Sequence, residues 1–378
     1  MNEMNVGDTM QGQWQDMTGD GEVIVVEIDR RGTGYEGQIY LYPPNLGIAA
    51  VAYFSSDTEG PIVRQKVGLT FHQYGRAAVI PIEELKRHHP DRRWPQAIEL
   101  SLKEENGTLT VEAFAQLHDG PETTESVILP ASQSTDASEL SADAEIVTWD
   151  SFKKLVGGLE VDRYIFRGQP VQKRLRSSFH RTNRKSLLTY INFDIPRLHR
   201  AISTSTSTYF DLTDDNHYAA FMNLLQHHGY PTPLLDWTHS PYVASYFAFR
   251  HARQTSASED RVRIFMFDAR RWRKDFPQYN SLVYTPPHFS LLEPLALENP
   301  RSAPQQSLSA IVTVDDVEAY LQKLGKQTSH DYLRVFDLPY SERNSVLKEL
   351  RFMGITAASL FPGFDGMCEA MRIQHFEG

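Results

Sequence analysis

Hydrophobic positions change rhythm partway along this chain. Between residues 21 and 115 they come in short runs at 23–28, 37–42, 48–54, 62–71, 97–102 and 109–115. β-Branched and aromatic residues dominate these runs, Pro43-Pro44 stops the second, and Asn106-Gly107 between the last two is a hairpin signal. Regular short strands with little helix predict an all-β module, a sandwich or partial barrel, over residues 1–120, with a loose polar lead-in at 1–20. Ser, Thr, Pro, Asp and Glu then take over, and residues 121–145 read as a flexible linker.

Helical periods enter after that. Thr148 begins a capped short helix that ends in Gly157-Gly158, and residues 164–168 read as a strand closed by Arg167-Gly168. A helix within 187–206 carries Leu198, His199 and Ile202. A second contains Phe221, Leu224 and Leu225 and stops at Gly229. Ser240-Pro241 is an N-cap followed by a first-turn proline, and Val243, Ala244, Phe247 and Ala248 give the next helix its apolar face. Between those two helices, Asp236, Trp237, Thr238 and His239 read as a short polar connector at a helix N-terminus, a place suited to anions. Strands follow at 262–268, at 281–284, at the end of 299–313 and at 331–338. A helix at 341–353 stops at Gly354, and 355–361 reads as a buried strand. The predicted class is α+β: the all-β module plus a mixed domain over residues 146–378.

Composition narrows the possibilities. With 378 residues, 40% hydrophobic and 23% charged, the chain has the make-up of a two-domain globular protein. A formal net charge of −10 argues against bulk attraction to nucleic acid or membrane. The single cysteine, Cys368, excludes an internal disulfide framework and fits a reducing cytoplasm. No basic-then-apolar leader and no long apolar run is present. Adjacent His88-His89 lack spaced partners and read as a surface loop, and His227-His228 are neighbours on a helix that point apart, so no metal site is expected. Lys173, Arg174, Arg176, His180, Arg181 and Arg184 make a local basic run. It reads equally as a solvated surface or as an anion-binding wall.

At Phe166-Arg167-Gly168 the chain resembles the FRG-domain family, named for an aromatic-Arg-Gly motif. Segments 164–168, 226–248, 299–306 and 354–366 carry the likeness. The most specific part runs from Gln226-His227-His228-Gly229 to Leu234-Leu235-Asp236-Trp237-Thr238. Pro233 stands where the family usually has an arginine. The likeness spans roughly residues 145–375 and leaves the β-rich module out. That family resembles in turn the ADP-ribosyltransferases of the Arg-Ser-Glu type, whose domain is a split β-sandwich. This implies NAD as substrate, with Arg167 and Gly168 on its phosphates and ribose. Asp236-Trp237-Thr238 would stand in place of the Ser-Thr-Ser strand, and Ala244 to Ala248 would match the helix that follows it. Gln305 would sit near the position of the usual catalytic glutamate. The group implied to act in catalysis is Arg167, Asp236 and Gln305, with His228, Trp237, Thr238 and Arg301 joining Arg167 and Gly168 as cofactor contacts.

Gln305 lacks the carboxylate that such chemistry uses, so a non-catalytic nucleotide- or phospho-ligand-binding module is the second reading. Arg167 also has a structural alternative, pairing with a core carboxylate such as Asp236. By analogy with the resemblance, the setting is a toxin or antiviral effector acting on a macromolecular acceptor, with the β-module recognising a target or protein partner.

Overall fold

In the computed structural model, which describes residues 9–18, 21–115, 123–252 and 260–376, eight strands follow one another through a first sheet. They are β1 (Gly12–Met17), β2 (Val23–Arg31), β3 (Gly34–Tyr42), β4 (Ile48–Ser55), β5 (Ile62–Gln73), β6 (Ala97–Glu105), β7 (Thr108–Ala115) and β8 (Thr123–Pro130). Each is antiparallel to the next, and β1 approaches β8, so the sheet curls into a near-barrel. Val26, Ile28, Leu100, Leu102 and Leu109 fill its interior. The 106–107 hairpin forms as predicted, between β6 and β7.

β2 explains why this module does not stand apart. Its burial is continuous rather than alternating, because both of its faces are covered. Ile24, Val26 and Ile28 point into the barrel. Val25 packs with Leu188 and Tyr284 of the second domain. On that same outer side, Asp29 accepts backbone N–H bonds from Lys185 and Ser186, and Glu27 accepts one from Leu187 at 3.1 Å. Gln13 adds a bond from its amide to the Thr313 carbonyl at 2.8 Å and takes one from the Asp315 N–H at 2.7 Å.

The second domain is built on a six-stranded antiparallel sheet. Its strands are β9 (Tyr164–Gln169), β10 (Leu234–Thr238), β11 (Arg261–Asp268), β12 (Phe289–Leu292), β13 (Ser307–Val312) and β14 (Leu333–Pro339), in the order β12-β13-β10-β9-β11-β14. The helix Pro241–Arg250 lies on β9 within a core that includes Phe166, Ala244, Phe336 and Val346. Trp237, Phe267, Trp272 and Phe289 form a second core, and the helix Asp215–His227 covers Leu234 and Ile311 in a third. Among the described residues no helix is long and apolar enough to cross a membrane.

Several sequence readings are corrected here. Part of the lead-in is β1, and residues 123–130 of the supposed linker are β8, so segments of polar composition still supply the two edge strands of the near-barrel. Residues 1–8, 19–20 and 121–122 of those two segments lie outside the described residues. The connector holding Asp236 is a strand, not a turn. Residues 281–284 form no strand, whereas 357–360 is a helix capped by Thr356, whose hydroxyl accepts from the Ser359 N–H. The helix within 187–206 is interrupted by a π-helical turn, Tyr190–Asp194.

Candidate functional site

The six-stranded sheet is nearly two sheets. β10 and β9 share one paired position, Thr238 with Phe166, whereas β10 matches β13 at five and β9 matches β11 at six. Where β10 leaves β9, the carbonyl of Asp236 has no ladder partner from that side. Arg167 supplies one: its Nη1 donates to the Asp236 oxygen at 2.6 Å. The rest of the guanidinium is not satisfied in this way. Among the described residues its buried Nε has no hydrogen-bond partner and no carboxylate forms an ion pair with it. Burial lowers the Arg167 pKa from its ordinary value; the Asp236 charge opposes that shift, and the Arg181 charge adds to it. Arg167 is half-buried, but leaving its buried Nε without a partner costs stability, and an anion placed against it removes that cost.

Asp236 is the one exposed residue of β10; Leu234, Leu235, Trp237 and Thr238 are buried. Its Oδ1 accepts from Gln226 Nε2 at 2.6 Å, at the end of the helix Asp215–His227. Gln226 also takes a bond from the Thr232 hydroxyl. Among the described residues nothing donates to the other carboxylate oxygen. Beside Asp236 in the register is Ser309, whose hydroxyl lies 3.4 Å from Asn223 Nδ2. Asn223 in turn accepts from Asn299, which also sits 3.2 Å from His227 Nδ1. Helix end, strand and the 299 turn are thereby joined by polar contacts around a carboxylate that faces solvent.

The structure sorts the remaining site candidates. Gly168 is required by packing, since a Cβ there would lie 1.9 Å from the Ala244 carbonyl oxygen. The close approach it permits is that of the Pro241–Arg250 helix to β9. Trp237 is in the core against Phe267 and Phe289, and it offers no face for stacking. Thr238 is also buried. Its hydroxyl donates to the Gln305 carbonyl at 2.7 Å and accepts from the Ser240 N–H, which fixes the exit of β10. Gln305 is buried too, and its Nε2 donates to the Leu360 carbonyl at 2.9 Å, so its amide ties one loop to another. Arg301 is half-buried and lies over the Phe361 ring. His228 is exposed just beyond its helix, whereas His227 is the histidine joined to the polar chain.

Most of the basic run is neutralised internally. Arg174 pairs with Asp316, Arg176 is bidentate to Asp315, and Arg184 reaches Asp29 and Asp194. His180 is fully buried, and burial pushes its pKa down to about 3, so it adds no positive charge at neutral pH. Asp315 is held at about 2. Burial alone would raise it, and Lys185, His180 and Arg176 more than offset that. Arg181 differs from these neighbours: no carboxylate among the described residues pairs with it, and burial and the Arg176 charge both lower its pKa. The sequence placed Arg181 in the basic run without separating it from the others, because pairing is a tertiary property. Among the described residues no group of three or more His, Cys, Asp or Glu side chains is arranged to hold a metal.

Comparison with known proteins gives one match. Residues 162–257 fit the family model described as FRG domain, a span that includes Arg167, Arg181, Asp236 and the Pro241–Arg250 helix but stops short of Arg301 and Gln305. No curated protein and no solved structure matches the chain. The strand bearing Arg167, the helix that Gly168 admits and the strand bearing Asp236 therefore lie within one recognised unit, and this part of the chain is an FRG domain.

Proposed function

We propose that this domain is an ADP-ribosyltransferase-like enzyme that uses NAD, passing ADP-ribose to a macromolecular acceptor or to water. The observation that carries this reading is the Arg167 guanidinium, held where two halves of a sheet part, with a buried Nε that no group among the described residues satisfies. A guanidinium in that state suits a phosphate oxygen, which it binds with charge-assisted bonds. Asp236, whose backbone Arg167 touches, presents an exposed carboxylate that Gln226 orients.

In the reaction the bond between nicotinamide nitrogen and the ribose carbon breaks, and its electron pair leaves with nicotinamide. Positive charge develops on the ribose, as in glycoside cleavage, and the Asp236 carboxylate stabilises it. The acceptor hydroxyl, amine or water then bonds to that carbon, and its proton passes to Asp236 or to solvent. Gln305 takes no part in this scheme, because its amide is committed to Leu360. A toxin or antiviral effector is the setting we infer, with the near-barrel recruiting the target or a protein partner.

Incubation of the whole chain with NAD, followed by measurement of released nicotinamide, tests the proposal. Release by the wild type is expected, with a fall of at least about 100-fold in Arg167→Ala and no rescue by Arg167→Lys, which lacks the fork. Equal release by wild type and Arg167→Ala would overturn it. The burial of Gln305 and the lack of a glutamate in the polar chain favour one second reading, a binding module without turnover. Tight NAD binding in calorimetry with no nicotinamide release would select that reading.

A further inference from the structure

We infer that the outward face of the helix Phe364–Phe376 is where two copies of this chain meet, as an antiparallel helix pair about a twofold axis. The proposed NAD chemistry plays no part in it. One side of the helix is firmly seated. A Cβ on Gly366 would come within 2.0 Å of the Phe361 carbonyl oxygen and 2.7 Å of the Ala357 one. Glu369 accepts from Arg250 Nε at 2.6 Å, and Ala370 packs against the core that holds Phe166 and Phe336. Residues 366, 369, 370 and 373 keep helical spacing, so the opposite side is held out to solvent. That side is apolar: Phe364 is 85% exposed, Met367 57% and Met371 45%, and Cys368 among them is exposed too. Gln374 Oε1 accepts from Arg351 at 3.2 Å, so the end of the helix Arg343–Phe352 adjoins it, with Phe352 and Met353 also exposed. Single exposed apolar side chains are ordinary, whereas a patch of five marks an interface.

The charges on this face select a second copy as the partner. Phe364, Cys368, Met371 and His375 recur at intervals of four, three and four residues, the spacing of a two-helix seam. Asp365 and Arg372 lie seven residues apart and flank that seam on the same edge. Across an antiparallel pair, equivalent edges face each other; across a parallel pair, opposite edges do. An antiparallel second copy therefore sets Asp365 against Arg372 twice, as an isologous contact. The same register places Phe364 opposite His375 and Cys368 opposite Met371, with the two Cys368 side chains near the axis. At about 200 Å² for a large side chain, the five exposed apolar groups offer on the order of 600 Å² per copy. Twice that area is at the lower edge of specific interfaces, so the association should be weak and reversible.

Sedimentation equilibrium of the whole chain tests the pairing. A monomer–dimer equilibrium with a dissociation constant on the order of 10 μM is expected. Met371→Glu puts a charge into the seam and should weaken it at least about 10-fold. Asp365→Arg or Arg372→Asp alone should weaken it about 3- to 10-fold, and the two together on one chain should restore it, because the pair is only reversed. Thermal unfolding of each variant checks that it folds. Cys368 is the chain's single cysteine, so a short bis-maleimide should join two wild-type chains and fail to join Met371→Glu at the same concentration. Association unchanged by Met371→Glu, charge reversals that do not rescue each other, or a dimer that the bis-maleimide does not join would overturn the inference. A wild type still monomeric at about 100 μM would also overturn it and leave this face to a different macromolecule.

Discussion

Arg167 and Gly168 are adjacent in one motif and do different work. Arg167 satisfies the backbone of a neighbouring strand with one nitrogen and leaves another buried and unbonded, while Gly168 makes room for a helix. Gly168→Ala should therefore destabilise rather than merely weaken ligand binding. The added methyl meets backbone that cannot turn aside, so a loss of about 2–3 kcal/mol is expected by urea denaturation, and an unchanged midpoint would contradict the packing role. Asp236→Asn separates chemistry from structure. The amide oxygen can still accept from Gln226, so stability should change by less than about 1 kcal/mol while nicotinamide release falls by at least about 100-fold. The motif residues were legible in the sequence because each follows from local chemistry: an arginine beside a glycine, a carboxylate beside a capped helix. Trp237 and Gln305 were not, since their neighbours in sequence do not reveal the core that encloses one or the Leu360 carbonyl that holds the other.

At the level of elements, β10 was the reading that failed most instructively. It is five residues long, flanked by Pro233 and the Ser240 cap, and its one exposed residue is a charge, so it reads as a connector. Only pairing with β13 makes it a strand. The helix ends on either side were legible: Gly229 takes a left-handed φ of 81°, and the Ser240 hydroxyl accepts from the Val243 N–H. Residues 357–360 failed for a related reason, because a capping threonine outweighs a short apolar run. Thr238 locks the exit of β10 with two hydrogen bonds, one donated and one accepted. Thr238→Val keeps the shape and removes both. Two buried polar groups then lose a partner, and we expect a cost of about 1–3 kcal/mol together with weaker NAD binding, because Asp236 shares the strand. Wild-type stability in that variant would show that the lock is dispensable.

Across the whole molecule, the two-module plan was visible in the shift from strand to helix periods, but the contact between modules was not. Glu27 and Asp29 look like ordinary strand charges, yet they cap the backbone at residues 185–187, just past the turn that carries Arg181. Burial raises the Glu27 pKa from 4.5 to about 8, against the bonds from Leu187 and Gln13 that lower it. The folded chain thus holds a proton that the unfolded chain releases near 4.5. Its stabilising effect is complete below that pH and is lost as pH rises towards 8. Unfolding free energy from denaturant titrations should fall between pH 5 and pH 8, and Glu27→Gln should flatten that slope; an unchanged slope in the variant would contradict this assignment. A crystal structure of the chain with ADP-ribose tests directly whether Arg167, whose Nε has no partner among the described residues, grips a dinucleotide. A phosphate oxygen should lie about 3 Å from Arg167 Nε, with the ribose facing Asp236. A ligand bound elsewhere, or Arg167 Nε still unpartnered beside it, would contradict the account.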